Sequence, residues 1–230
     1  MTTTSAPPKL WARSIGSASI TPTLLLLLVG LALWSTDRHA ALLGSDSRWP
    51  SILLSLVAVA LGCLALRWVR PQRAGLSPPH VMLSLGFGGM LLGFLLDWAD
   101  AGLAQLGSLC SQSAPLSLWQ SFVLHLQYLP GMHLGMLAGG MLAIPGLRVL
   151  RSHCGRYLCA QLLQNLMCSG WMLLGMTSGA VWLLRLQLAM GSASITAMLG
   201  GMFVGMTWGM VLSVALYRSY FLWRGKRSAD

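Results

Sequence analysis

The chain reads as an all-α polytopic membrane protein with six transmembrane helices. Three observations lead there. Hydrophobic residues make up 55% of the 230 positions and charged ones only 9%, far from the balance of a soluble domain. Six apolar stretches are long enough to cross a hydrocarbon core of about 30 Å. Finally, Lys and Arg collect in alternate connections, as a consistent topology requires.

The first span, residues 17–34, follows a short tail (1–16) carrying Lys9 and Arg13 and contains the run Leu24 to Leu28. It has the charge and apolar run of a signal peptide, but the later connections alternate correctly only if it is retained. The second span, 50–69, is followed by Arg67, Arg70 and Arg73. The third, 80–97, ends at Asp97, Trp98 and Asp100. From Asp97 to Leu116 runs the longest polar connection, whose Gly, Ser and Pro suit an outer loop or a short interfacial helix. The fourth span, 117–144, precedes Arg148, Arg151 and Arg156. The fifth covers 157–184 and the sixth 192–216, followed by a basic tail (217–230) with Arg218, Arg224, Lys226 and Arg227.

These cations mark one side as cytoplasmic. Arg38, Arg48 and Arg185 fall in the opposite connections, together with Asp37, Asp46, Asp97 and Asp100. Both termini are therefore expected in the cytoplasm of a bacterial cell, with the bundle in its inner membrane. The formal net charge of +10 follows from this topology and from anionic lipid headgroups. With no RNA or DNA motif beside the charge, nucleic acid is not an expected partner.

A short string recurs near the middle of the last four spans: Gly89-Met90, Gly131-Met132, Trp171-Met172 and Gly201-Met202 each begin a stretch with Gly again four residues on. Glycine at that spacing makes a shallow groove in which helices approach closely, so a Gly-x-x-x-Gly packed bundle is expected. The sixth span adds a ladder of Met198, Met202, Met206 and Met210, interleaved with Gly201, Gly205 and Gly209. Steps of four advance a helix by roughly 40° and about 6 Å, which gives a slowly turning stripe about 18 Å long.

Thioethers are soft, uncharged donors suited to Cu(I) and not to Mg, Ca or Zn. Met202, Met206 and Met210 are thus candidate metal ligands. On the fourth span, taken as one helix, His125, Met132 and Met136 fall within roughly 40° of one another, with His133 turned some 80° from His125. On the fifth, Gln164, Cys168, Met172 and Met176 repeat the spacing with a thiol in line. Asp97 and Asp100, three residues apart, share a helix face and form a candidate cation-collecting mouth; Asp97 is also placed to pair with His125. Against this stands the fact that Met is a flexible filler, which suits the gap opposite a glycine groove without any metal. Cys63, Cys154, Cys159 and Cys168 lie toward the cytoplasmic side and Cys110 alone outside, a distribution that gives no disulfide framework. His153-Cys154 and Cys159 match no closed zinc pattern.

The Met-x-x-x-Met spacing beside Gly-x-x-x-Gly resembles the copper-uptake family of small eukaryotic transporters, and Met132 to Met141 with His133 looks like the Met/His runs of metal-binding bacterial membrane proteins. That resemblance implies Met132 and Met136 as ligands. The uptake family has three spans and a Met-rich outer tail, whereas this chain has six expected spans and a Thr/Ser/Pro start.

No catalytic role is expected. The chain has no Glu, no Gly-x-Ser-x-Gly elbow, no His-Glu-x-x-His and no phosphate-binding Gly-x-x-x-x-Gly-Lys. The reading is an integral membrane protein that handles or transports a soft metal, with Cu(I) the expected species and no organic cofactor. The alternative is a noncatalytic membrane subunit or assembly factor whose glycine faces dock a partner protein or a second copy.

Overall fold

The computed structural model describes residues 10–42, 49–69, 78–150, 158–190 and 194–227. Among them there is no strand. Eight helices follow in order: α1 (Leu10–Leu42), α2 (Trp49–Val69), α3 (Pro78–Ala101), α4 (Leu103–Ser113), α5 (Leu118–Tyr128), α6 (Pro130–Leu150), α7 (Leu158–Ala189) and α8 (Ile195–Arg227). Lys9, Asp46, Arg48, Arg70, Arg73, Arg151, His153, Cys154 and Arg156 lie outside the described residues, as do the side chains of Arg13, Arg148, Cys159, Gln164, Arg224, Lys226 and Arg227.

Among the described residues, five helices are long and apolar enough to cross a membrane: Pro22–Ala41, Trp49–Val69, Pro79–Ala101, Asn165–Ala189 and Ile195–Tyr220. Their outward faces carry large apolar side chains such as Leu92, Leu96, Leu174 and Trp182. Such faces are stable against lipid and costly against water. The molecule is a polytopic membrane protein.

The helix expected over Ser117–Ile144 is two helices. α5 ends at Tyr128 and α6 starts at Pro130, with Leu129 between them at φ −129° and ψ 49°. The cause is local. Pro130 has no N–H to continue the helix, disfavours helical geometry at Leu129, and is pre-set for the first position of a new helix. At its other end α5 is closed by a capping box, in which the Ser117 hydroxyl accepts from the Gln120 N–H and the Gln120 side chain accepts from the Ser117 N–H. Both signals stand in the sequence, and a reading by hydropathy alone passes over them.

Two antiparallel pairs form the centre, and each closes on glycine. In α3·α6, a Cβ at Gly89 would collide with the Gly135 carbonyl oxygen, one at Gly93 with that of Gly131, and one at Gly139 with that of Leu85. In α7·α8 the same holds for Gly175 against Gly205, Gly179 against Gly201 and Gly209 against Trp171. Any side chain at these positions would force backbones apart and forfeit the dispersion contacts that hold helices together where lipid offers no hydrophobic advantage.

The two pairs meet through Phe87 and Phe203, whose rings cross with centroids 4.8 Å apart. α2 closes on the far side of α8, with Ser55 against Gly200 and Thr207 against Gly62. The Trp208 indole N–H donates to the Ala58 carbonyl at 3.2 Å. As a result α8 is enclosed along most of Ile195 to Val211, and the Met ladder lies inside the protein.

Candidate functional site

The ladder residues Met198, Met202, Met206 and Met210 are all fully buried, and so are Met132, Met136, Met172 and Met176 on the neighbouring helices. Around Gly86 of α3 three helices converge. A Cβ there would stand 2.8 Å from the Met172 methyl, 3.5 Å from the Met206 methyl and 4.0 Å from the Met136 carbonyl oxygen. The absence of a side chain at Gly86 is what lets Met172 of α7 and Met206 of α8 reach across to the other pair. Toward one end of α7, the Cys168 thiol and the Ser213 hydroxyl of α8 are 3.2 Å apart. The thiol is thus held by a polar neighbour within the seam.

At the opposite end, the end that carries α4 and α5, Asp97 is buried and faces the start of α6. Its two carboxylate oxygens accept from the Gly131 N–H at 2.9 Å and the Met132 N–H at 2.8 Å. The first N–H groups of a helix have no partner inside it and carry the positive end of its dipole. Asp97 satisfies two of them with a negative charge from another helix. Of the two acids expected to form a cation-collecting mouth, Asp97 is engaged as a helix cap and Asp100 is exposed.

The pairing expected between Asp97 and His125 is also absent. Both ring nitrogens of His125 lack a hydrogen-bond partner although the side chain is fully buried. The shared face drawn for His125, Met132 and Met136 fails for a related reason, since His125 belongs to α5 and the two methionines to α6. His133, buried beneath the edge of Phe122, has its Nδ1 2.8 Å from the Leu129 carbonyl oxygen. A carbonyl can only accept, so Nδ1 carries the proton and Nε2 presents a lone pair. That Nε2 is buried without a partner. His125 and His133 stand within electrostatic reach of each other, and His133 within reach of Asp97.

Reading by sequence passed over one sulfur contact. Cys110, on α4, is fully buried with its Sγ 3.7 Å from Met198 Sδ and 3.5 Å from the Leu106 carbonyl oxygen. Burial pushes its thiol up to about 12, because an anion among apolar groups is poorly solvated. No sequence signal pairs positions 110 and 198; only α4 folding over the start of α8 does so.

α4 is held in place by Arg185 of α7, whose Nε and Nη2 donate to the Ala114 and Leu116 carbonyls at 2.9 and 2.8 Å. These carbonyls follow the last turn of α4, where a cation suits the helix dipole. Outside the α7·α8 seam lies an open groove of about 620 Å³. Its lining includes Gly175, Gly209, Trp171, Trp182 and Trp208.

Among the described residues no three His, Cys, Asp or Glu side chains come together as a metal cluster. Compared with known proteins, the chain matches no family model, no curated protein and no solved structure.

Proposed function

We propose that this protein handles a soft metal ion, Cu(I), as cargo within the membrane, passing it between imidazole and thioether donors inside the bundle. The observation that carries this reading is the pair of buried imidazoles. His133 keeps its Nδ1 proton on the Leu129 carbonyl and leaves Nε2 open, and His125 has both nitrogens open. A ring N–H anchored to a backbone carbonyl with the other nitrogen free is the arrangement that metal-ligating histidines use. Leaving buried polar atoms unpaired costs about 1–3 kcal/mol each, so such a pair asks for a ligand. The enclosed sulfurs of Met172, Met206 and their neighbours supply soft, neutral donors along the interior. In this reading α6 supplies a further crossing, the fourth in chain order, the alternating loop cations favour cytoplasmic termini, and the membrane is taken to be a bacterial inner membrane.

A second reading, a noncatalytic subunit that docks a partner helix or a second copy, is favoured by the open groove beside the α7·α8 seam.

Anaerobic titration of the purified protein with Cu(I) against a chelator, followed by X-ray absorption, decides between them. Wild type should bind copper with nitrogen and sulfur neighbours. The double variant His125→Phe with His133→Phe should lose the nitrogen shell, and the triple variant Met202→Leu, Met206→Leu, Met210→Leu should lose sulfur, each with its helices intact. A wild type that binds no copper would leave the methionines as packing and favour the subunit reading.

A further inference from the structure

Two sulfur atoms from helices far apart in sequence touch at the α4 end of the ladder. Cys110 Sγ and Met198 Sδ stand 3.7 Å apart with both residues fully buried, and Met202 follows one turn farther along α8. A sulfur–metal bond is about 2.3 Å long. Two such bonds at a tetrahedral angle put their sulfurs about 3.8 Å apart, so the present separation admits one metal ion between them with little movement of either side chain.

The surrounding layer is tied to this pair of sulfurs. The Ser121 hydroxyl of α5 donates to the Ser113 carbonyl at 3.1 Å, and the Ser113 hydroxyl donates to the Cys110 carbonyl at 3.3 Å. These bonds tie α5 to the turn of α4 that carries Cys110. One turn beyond Ser121 on α5 is His125, fully buried with both ring nitrogens unpaired.

We propose that Cys110 and Met198 form the loading site for the soft metal at the head of the Met ladder, with α4 as its cover. This rests on the soft-metal reading above and names where the ion first binds. Sulfur chemistry explains why a thiol belongs here and thioethers farther in. The S–H bond breaks as the S–Cu bond forms, and the proton is released to bulk water as the ion enters. The resulting Cu(I)–thiolate is neutral, which avoids the cost of taking a bare cation into an apolar interior. Thioethers along α8, being neutral, hold the ion more weakly and permit onward movement.

Four proteins test this in detergent under anaerobic conditions: wild type, Cys110→Ser, Met198→Leu and the double variant. Chelator competition reads Cu(I) affinity, X-ray absorption reads the number of sulfur neighbours, and thermal unfolding reads integrity. Loss of one sulfur neighbour and at least a tenfold weaker affinity in each single variant, and loss of both sulfur neighbours in the double variant, is the expected result. Because Met198→Leu keeps the size and apolar character of the side chain, it reports on the site even if Cys110→Ser is poorly folded. Copper bound by wild type with the same affinity and sulfur count as in both variants overturns the loading site and leaves the broader reading standing. Absence of copper from wild type overturns both.

Discussion

The α3·α6 and α7·α8 pairs are built on the same glycine seam and end differently. In α7·α8, helix α8 begins at Ile195, well before its first seam glycine, Gly201, and Ser194 caps it by accepting from the Ala197 N–H at 3.2 Å. In α3·α6, helix α6 begins at Pro130, one residue before Gly131, so its unpaired N–H groups open directly onto α3. There Asp97 is required. The position that follows Trp171, Gly175 and Gly179 at the same spacing on α7 is Leu183, since no helix start faces it. A helix that starts inside a seam needs a charged cap from its neighbour; one that overshoots the seam caps itself and can use its extra turns for other contacts, here Met198 with Cys110.

The largest effect should come from closing either seam. Gly135→Leu and Gly205→Leu both drive a side chain into backbone, and the cost should reach or exceed the upper end of the 1–3 kcal/mol typical of overpacking. Loss of the monodisperse folded peak in detergent chromatography is the readout. Equal damage in the two pairs would support a shared architecture, and survival of one would show that its seam is dispensable.

Asp97→Asn should separate the pairs. It removes the charge that holds the start of α6, worth about 1.5–3 kcal/mol for bonds to a charged group. Hydrogen exchange should therefore quicken at Gly131 and Met132 while the Gly201 region of α8 keeps its protection. Matching loss at both would mean that the cap acts on the whole bundle.

A smaller cost, about 1 kcal/mol, is expected for Arg185→Met, which gives up bonds to the Ala114 and Leu116 carbonyls. Exchange should rise in the residues after α4, and no change there would remove Arg185 as the tether. Smallest is Gly88→Ala, at a position on α3 where an added Cβ meets nothing within 4 Å. It should be neutral or stabilise by up to about 1 kcal/mol through helix propensity. A clear loss of thermal stability would place Gly88 in a contact of its own. On the chemical side, Cys110 with its thiol pushed up to about 12 should resist iodoacetamide at pH 8, as read by peptide mass spectrometry, until the protein is unfolded; rapid labelling in the folded state would mean that α4 opens readily.

Much of the frame is legible in the residues. Length and apolarity of the stretches around Leu54, Leu92, Leu174 and Val204 locate membrane-scale helices, because a bilayer leaves the backbone little choice but to satisfy its polar groups within each helix. Glycine and methionine at four-residue spacing likewise declare which faces turn inward. The sites are less legible. The break at Leu129 is written in Pro130 and in the capping box at Ser117, yet hydropathy averages across it. Merging α5 with α6 then carries His125 onto a methionine face where it does not belong.

The sequence by itself determined that this chain is helical and membrane-embedded, and that its glycines and methionines share helix faces, since those properties follow from local composition and a period of 3.6 residues. Only the tertiary structure decided what Asp97, His125 and Cys110 face. Asp97 meets N–H groups 34 and 35 residues away, and Cys110 meets a sulfur 88 residues away. Such partners are chosen by how helices cross and where they begin, and helical periodicity carries no information about either.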